Sequence, residues 1–320
     1  MTADDIAVVL AYAALAPSVH NTQPWRFAVV GDTIEVRADR CRQLEYLDPA
    51  GRQLHVSCGA AVEFGYLAAR AVGRQCDIAV LPDRGDRELL ARLTLGAAAP
   101  ASVTDRALAE AIAVRYTDRG PYADRPVPAD VVEDVAARAA ELGTWTYQLD
   151  RPSDREALAV VMSMAEQAEA ADVEYAAELH AWTDRSDRRG MPRDAVADEW
   201  PADRVSDVPL RDFAGHDRHP RAGGASAPTV ERDLLVMFGS AYDDPASWIA
   251  SGRALGWALL RAAAAGVSAQ PLGQAIDLPR GRDRLRRALG FVGYPQFVVR
   301  MGYGAGRPRT RRELTDPALR

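Results

Sequence analysis

Leu15-Ala16-Pro17-Ser18-Val19-His20-Asn21-Thr22-Gln23-Pro24-Trp25-Arg26-Phe27 divides an apolar helical pattern from a strand pattern, and its reading decides the fold. Pro17 cannot continue a helix. Ser18, Asn21, Thr22 and Gln23 then place side-chain donors and acceptors in a turn, and binding groups concentrate on turns held by a rigid scaffold. Trp25 reads as an aromatic of the exposed kind at the end of this loop. On residue types alone the stretch is either a ligand loop or a connecting turn. Upstream, the apolar run Ile6 to Ala16 is too short to cross a bilayer. It follows Asp4 and Asp5 where a signal peptide carries basic residues, so neither membrane insertion nor secretion is expected.

The 320 residues suffice for one large or two smaller domains, and 48% hydrophobic with 26% charged residues is ordinary for a globular chain. All 39 cationic residues are Arg. Without Lys, Schiff-base and lysine general-base chemistry are excluded. A net charge of −6 argues against a nucleic-acid partner, which needs a concentrated cationic face. Cys41, Cys58 and Cys76 have neither disulfide-framework nor zinc spacing, which fits a reduced cytoplasm. His216 and His219, three apart without a second cluster, do not make a metal site. No glycine-rich dinucleotide fingerprint follows a strand and no P-loop occurs, so those nucleotide folds are not expected.

Two stretches of the chain overlay. Gly59 to Gly73 (GAAVEFGYLAARAVG) matches Gly252 to Gly266 (GRALGWALLRAAAAG) at both glycines and at three alanines, with Phe64 falling on Trp257. Each reads as a buried, Ala-rich helix closed by a glycine in the left-handed region. Asp5 reads as starting a helix that leads to a strand at Trp25, and Asp130 as starting another that leads to Trp145. The first path is five residues longer, the length of Pro17 to Asn21. An internal duplication follows, in which one copy kept the loop. The boundary is expected between a first half, 1–105, and a second, 106–320.

The segment Pro-Ser-x-x-Asn-x-Gln-Pro-Trp resembles the flavin loop of the nitroreductase family, in particular its Acg-like branch. Arg115-Tyr116-Thr117-Asp118-Arg119, followed by Pro126-Val127-Pro128, is similar to the family's Arg-x-Ser-x-Arg segment at the FMN phosphate. Pro271-Leu272-Gly273, in the loop 266–274, resembles the turn that lies against the flavin ring near N5. Arg307-Pro308-Arg309-Thr310-Arg311-Arg312 resembles the C-terminal arginine segment that completes the phosphate site; which arginine reaches the phosphate is open. The resemblance implies an α+β nitroreductase-like fold, a mainly antiparallel sheet flanked by helices, with the two halves forming a pseudo-dimer within a monomer. Ordinary family members share each flavin between two subunits. Here one composite FMN site is implied, with its pseudo-symmetric counterpart degenerate.

The implied cofactor-binding residues are Ser18, Asn21, Gln23, Arg115, Thr117, Arg119, Pro271, Leu272, Gly273, Arg309, Arg311 and Arg312. Two guanidinium forks flanking the Thr117 hydroxyl suit a phosphate dianion, although Arg115 and Arg119, four apart, would also suit a solvated helix end with Asp118 pairing either one. No catalytic side chain is named, because a flavin carries its own redox chemistry. The implied activity is FMN-dependent NAD(P)H oxidoreduction with a small nitro- or quinone-type acceptor. The alternative is a flavin-sequestering or stress-related protein with an occluded site. The second reading is motivated by residues 184–232, a long Asp-, Arg-, Pro- and Gly-rich segment expected to form a lid. Donor, acceptor and turnover are not legible.

Overall fold

A computed structural model describes residues 3–183, 188–192, 204–210, 229–231, 233–306 and 310–313. In chain order these form α1 (Ala3–Ala13), β1 (Trp25–Val30), β2 (Thr33–Ala38), α2 (Arg52–Ala71), β3 (Arg74–Val80), β4 (Leu89–Ala98), α3 (Val103–Val114), β5 (Tyr122–Ala123), α4 (Ala129–Glu141) and β6 (Thr144–Gln148). There follow α5 (Pro152–Ala171), α6 (Val173–Trp182), β7 (Arg204–Ser206), β8 (Thr229–Glu231), β9 (Leu234–Ser240), α7 (Pro245–Ala264), β10 (Ser268–Leu272), α8 (Gln274–Asp277), α9 (Pro279–Ala288) and β11 (Tyr294–Gly304). Two antiparallel sheets dominate, so the α+β class stands. The first runs β1-β2-β4-β3 and the second β6-β9-β11-β10, with β5 added to β11. In both, the strands taken in chain order lie first, second, fourth, third. A short parallel pair, β7 with β8, lies apart from them.

The matched helices are α2 and α7, each 20 residues long and each followed two residues later by a glycine with φ near +70°, Gly73 and Gly266. They pack on each other at their glycines. A Cβ on Gly59 would lie 2.3 Å from the Ile249 carbonyl oxygen, and one on Gly252 would lie 2.0 Å from that of Val56. When the helices are overlaid end on end, Val56 falls on Ile249 and Gly59 on Gly252, so the two contacts are one contact repeated by a pseudo-twofold relation. Glu63, fully buried, joins the two helices and α4 by ion pairs to Arg253 (2.8 Å) and Arg138 (2.7 Å).

The first sheet buries one face. Ile34, Val36 and Ala38 of β2 point inward and Thr33, Glu35 and Arg37 lie on the other face, the period-2 pattern of a sheet covered on one side. Its core, with Leu93 and Phe64, also holds Trp25, which is 5% exposed. The exposed aromatic expected there is therefore a core residue. The second sheet is covered on both faces: Val236 and Phe238 of β9 meet α7, whereas Leu235 and Met237 meet α5, α8 and α9. Those helices lie in the segments that lengthen the second copy.

Several expectations shift locally. Asp5 and Asp130, read as starting helices, lie in the first turns of α1 and α4 and pair with Arg74 and Arg261. α5 and α6 are separated at Asp172, whose side chain caps α6. Pro271 and Leu272, read within a loop, belong to the edge strand β10, paired with Val299 and Val298. An edge position tolerates a residue without an N–H. Of the anticipated lid, most lies outside the described residues, as do His216 and His219.

Candidate functional site

Three residues of the 15–27 loop have an unusual backbone. His20, Asn21 and Gln23 have φ of 44°, 56° and 52°. Left-handed non-glycine residues cost about 1 kcal/mol or more each, so this conformation stands because surrounding contacts over-determine it. The Ser18 hydroxyl accepts the Gln23 N–H at 2.9 Å, the Val19 N–H reaches the Ser57 hydroxyl of α2 at 3.1 Å, and the Cys58 thiol donates to the Pro24 carbonyl. Asn21 Nδ2 donates to the carbonyls of Gly190 (2.8 Å) and Arg311 (3.0 Å). Gln23 Nε2 donates to the Arg188 carbonyl, and its Oε1 accepts the Glu313 N–H at 2.8 Å. These two amides form a socket for segments 188–191 and 310–313. Glu313 closes it by pairing with Arg42 at 2.9 Å and with Arg189, and Arg312 Nε donates to the Ala16 carbonyl.

The 115–119 segment lies beside β10. Thr117 forms a bridge with Ala269, and the Asp118 N–H donates to the Ala269 carbonyl. Asp118 is buried, and its carboxylate accepts the Gly120 N–H and the Ser268 hydroxyl in place of the expected arginine pairing. Arg115 terminates α3 and is 6% exposed, its guanidinium 6.0 Å from the Phe64 ring centroid. Behind the strand, fully buried Arg300 stacks over Tyr122 at 3.8 Å, pairs with Asp233 and donates to the Gly120 carbonyl and to Gln270 Oε1. That network fixes both the turn after Arg119 and the Gln270 side chain.

A cavity opens between these elements, about 880 Å3 including its solvent-open mouth. Pro17, Ser18, Val19 and His20 line it from the loop, Gln53, Val56 and Ser57 from α2, and Leu255 from α7. Thr117 and Arg119 line a further part, as do Gln270 to Gln274, Asp277, Phe297 and Met191. Of the residues singled out in the sequence, Ser18, Thr117, Arg119, Pro271, Leu272 and Gly273 thus meet in one wall system, built from both copies. Asn21 and Gln23 face the tail socket, and Arg115 is packed on Phe64. Arg311 and Arg312 lie in the tail, where Arg311 contributes its carbonyl and Arg312 its guanidinium to the socket. Arg309 lies outside the described residues.

Gln53, Ser57, Gln274 and Asp277 were not legible as site residues, because only the crossing of α2 over β10 and α8 brings them there. Asp277 Oδ1 accepts from Arg52 and from Gln53 Nε2, each at 2.6 Å, and a Cβ on Gly273 would lie 2.5 Å from its Oδ2. A side chain at 273 would thus crowd the end of the Asp277 carboxylate. At the start of α2, Asp48 accepts the N–H groups of Gln53 (3.0 Å) and Leu54 (2.8 Å). Burial pushes its carboxyl up to about 6, against the pull of those two N–H groups and of Arg52.

Fold and cavity define an α+β protein with two antiparallel sheets of like strand order and a cavity lined from several elements. A family model described as the nitroreductase family matches residues 1–54. A Mycobacterium tuberculosis protein, "Putative NAD(P)H nitroreductase Rv3131", is 33% identical over 98% of this chain and 91% of its own length. A second from that organism, "Putative NAD(P)H nitroreductase acg", is 29% identical over 94% of this chain and 90% of its length. The chain belongs to the nitroreductase family. Among solved structures, that of a nitroreductase with bound FMN from Bacteroides fragilis aligns at TM-score 0.35 and 13% identity, covering 66% of this chain and 95% of the other. That alignment is too distant to carry an argument.

Proposed function

We propose that this chain is an FMN-dependent oxidoreductase that takes hydride from NADH or NADPH and delivers it to a small nitro- or quinone-type acceptor. The observation that carries the reading is the cavity into which Ser18, Thr117, Arg119 and Pro271 to Gly273 converge. The names of the mycobacterial relatives support an NAD(P)H-linked reaction.

The residues fit a flavin. Val56, Leu255, Leu272, Phe297 and Met191 give apolar walls for a flat ring, and Arg119 offers fixed donors for an anionic group. Gln274, 3% exposed, has an Nε2 that bonds nothing among the described residues, a state a polar ligand would relieve. When bound, the flavin supplies hydride acceptance and donation. The chain's own part is placement: Arg119 and Thr117 anchor one end, Gly273 seats the Asp277 carboxylate under the strand end, and the apolar walls exclude water.

A second reading rests on Met191. This residue lines the cavity, and its neighbours Gly190 and Arg188 are fastened to Asn21 and Gln23, so segment 188–191 narrows access. A flavin-sequestering protein with little turnover would use the same geometry. The visible spectrum of purified protein, taken without oxygen before and after NADPH, separates the readings. Flavin bands that bleach support the oxidoreductase, bands that persist support sequestration, and failure to take up added FMN rejects both.

A further inference from the structure

The cavity has chemically different ends, and β10 measures the distance between them. Thr117 pairs with Ala269, near the start of the strand, and Arg119 follows it two residues later, whereas Gly273, Gln274 and Asp277 follow the last residue of the strand. Four residues of extended chain span about 13 Å. Arg119 is the cation at one end. At the other, the charge of Asp277 is matched by Arg52, which is itself held by the Gln296 carbonyl at 2.6 Å. What remains to meet a ligand there is a pair of neutral amides, Gln53 and Gln274.

Their donor and acceptor roles differ. Gln53 Nε2 is committed to Asp277 Oδ1, which leaves its Oε1 as an acceptor. Gln274 Nε2 bonds nothing among the described residues and is a donor in a buried wall, an unfavourable state until a carbonyl arrives. Nitro groups and quinones offer acceptors only and would leave Gln53 Oε1 unmatched. A ring carrying C=O beside N–H matches both amides.

Resting on the flavin reading above, we propose that Gln53 and Gln274 read the imide edge of the isoalloxazine. Gln53 Oε1 accepts from N3–H and Gln274 Nε2 donates to an adjoining carbonyl. Asp277 is a positioning residue: it fixes which way the Gln53 amide faces, and it is fixed in turn by Arg52 and by the absence of a side chain at Gly273.

The test is a titration of flavin-free wild-type protein with FMN and with FMN methylated at N3, followed by flavin fluorescence. The wild type is expected to bind FMN about tenfold more tightly than the methylated analogue, the scale of one lost hydrogen bond with steric conflict added. Gln53→Leu should bind FMN about three- to tenfold more weakly and lose most of that preference, whereas Gln274→Leu should weaken both ligands alike. Equal wild-type affinity for the two flavins overturns the assignment while leaving FMN binding intact, and so does full preference retained in Gln53→Leu. No FMN binding by the wild type overturns the flavin reading itself. The analogue comparison needs no variant, so it decides even where a substitution prevents folding.

Discussion

Gly252 approaches Val56 so closely that the smallest side chain at position 252 would lie 2.0 Å from the Val56 carbonyl oxygen. The obstacle is backbone on both sides, which cannot swing away as a side-chain end can. Gly252→Ala should therefore force α2 and α7 apart and destabilise the protein by about 3 kcal/mol or more, measured by denaturant unfolding. Gly256→Ala, whose Cβ would sit 3.3 Å from Ala60, should cost clearly less. Equal costs would mean that the crossing point is not where the helices are tightest.

Glu63 is the buried carboxylate that bridges Arg138 and Arg253; Arg138 has a second partner in the exposed Glu141 at 2.9 Å, whereas no other carboxylate is shown beside Arg253 among the described residues. Removing one partner of a buried ionic set leaves uncompensated charge, so Glu63→Ala should cost about 3–5 kcal/mol. Thermal or denaturant unfolding measures it. A cost under about 1 kcal/mol would place these arginines in solvent.

Arg119 and Arg115 should separate cleanly. Arg119→Ala is expected to weaken FMN binding by about tenfold or more, the scale of a charge-assisted hydrogen bond, with little change in the melting temperature of the flavin-free protein. Arg115→Ala should lower that melting temperature through lost packing on Phe64. The reverse pattern would assign the anion to Arg115.

Asp48 gives a pH dependence of definite sign. Its folded carboxyl titrates near 6, above the unfolded value of about 4, so the folded state binds the extra proton between these limits. The contribution of this group to stability is complete below about pH 4 and is lost as pH rises through 6. Asp48→Asn should remove that component from a plot of unfolding free energy against pH. An unchanged slope between pH 4 and 6 would assign it to other groups.

Glu313 holds the tail by two ion pairs and one backbone hydrogen bond. Exposed pairs contribute up to about 1 kcal/mol each, so Glu313→Ala should speed hydrogen exchange in residues 18–23 and 188–191 by about fivefold. Unaltered exchange in both segments would show that the socket holds without its closing pair.

The likeness of α2 to α7 was legible because glycines at a helix crossing and after a helix end leave fixed marks: Gly59, Gly252, Gly73 and Gly266 recur in register. The α+β class and the six cavity residues from three separated motifs were legible for a related reason, as each motif sits at an element end. Trp25 misled, because an aromatic after an amide-rich loop looks the same whether it faces ligand or core. Asn21 and Gln23 were legible as hydrogen-bonding groups, but their partners, carbonyls about 170 and 290 positions away, belong to tertiary structure. Gln53, Gln274 and Asp277 carry no local signal, since single polar residues at helix ends are common.

Across the pseudo-twofold relation, Glu63 meets Arg253, and the corresponding pair is Ala60 beside Gly256. A true homodimer cannot hold that difference, because any substitution appears on both sides of its axis at once. A single chain mutates each side alone. One flank of the crossing has become a charged lock and the other a bare close approach, and by the same freedom one cleft of an ancestral pair can be elaborated while its twin is given over to packing.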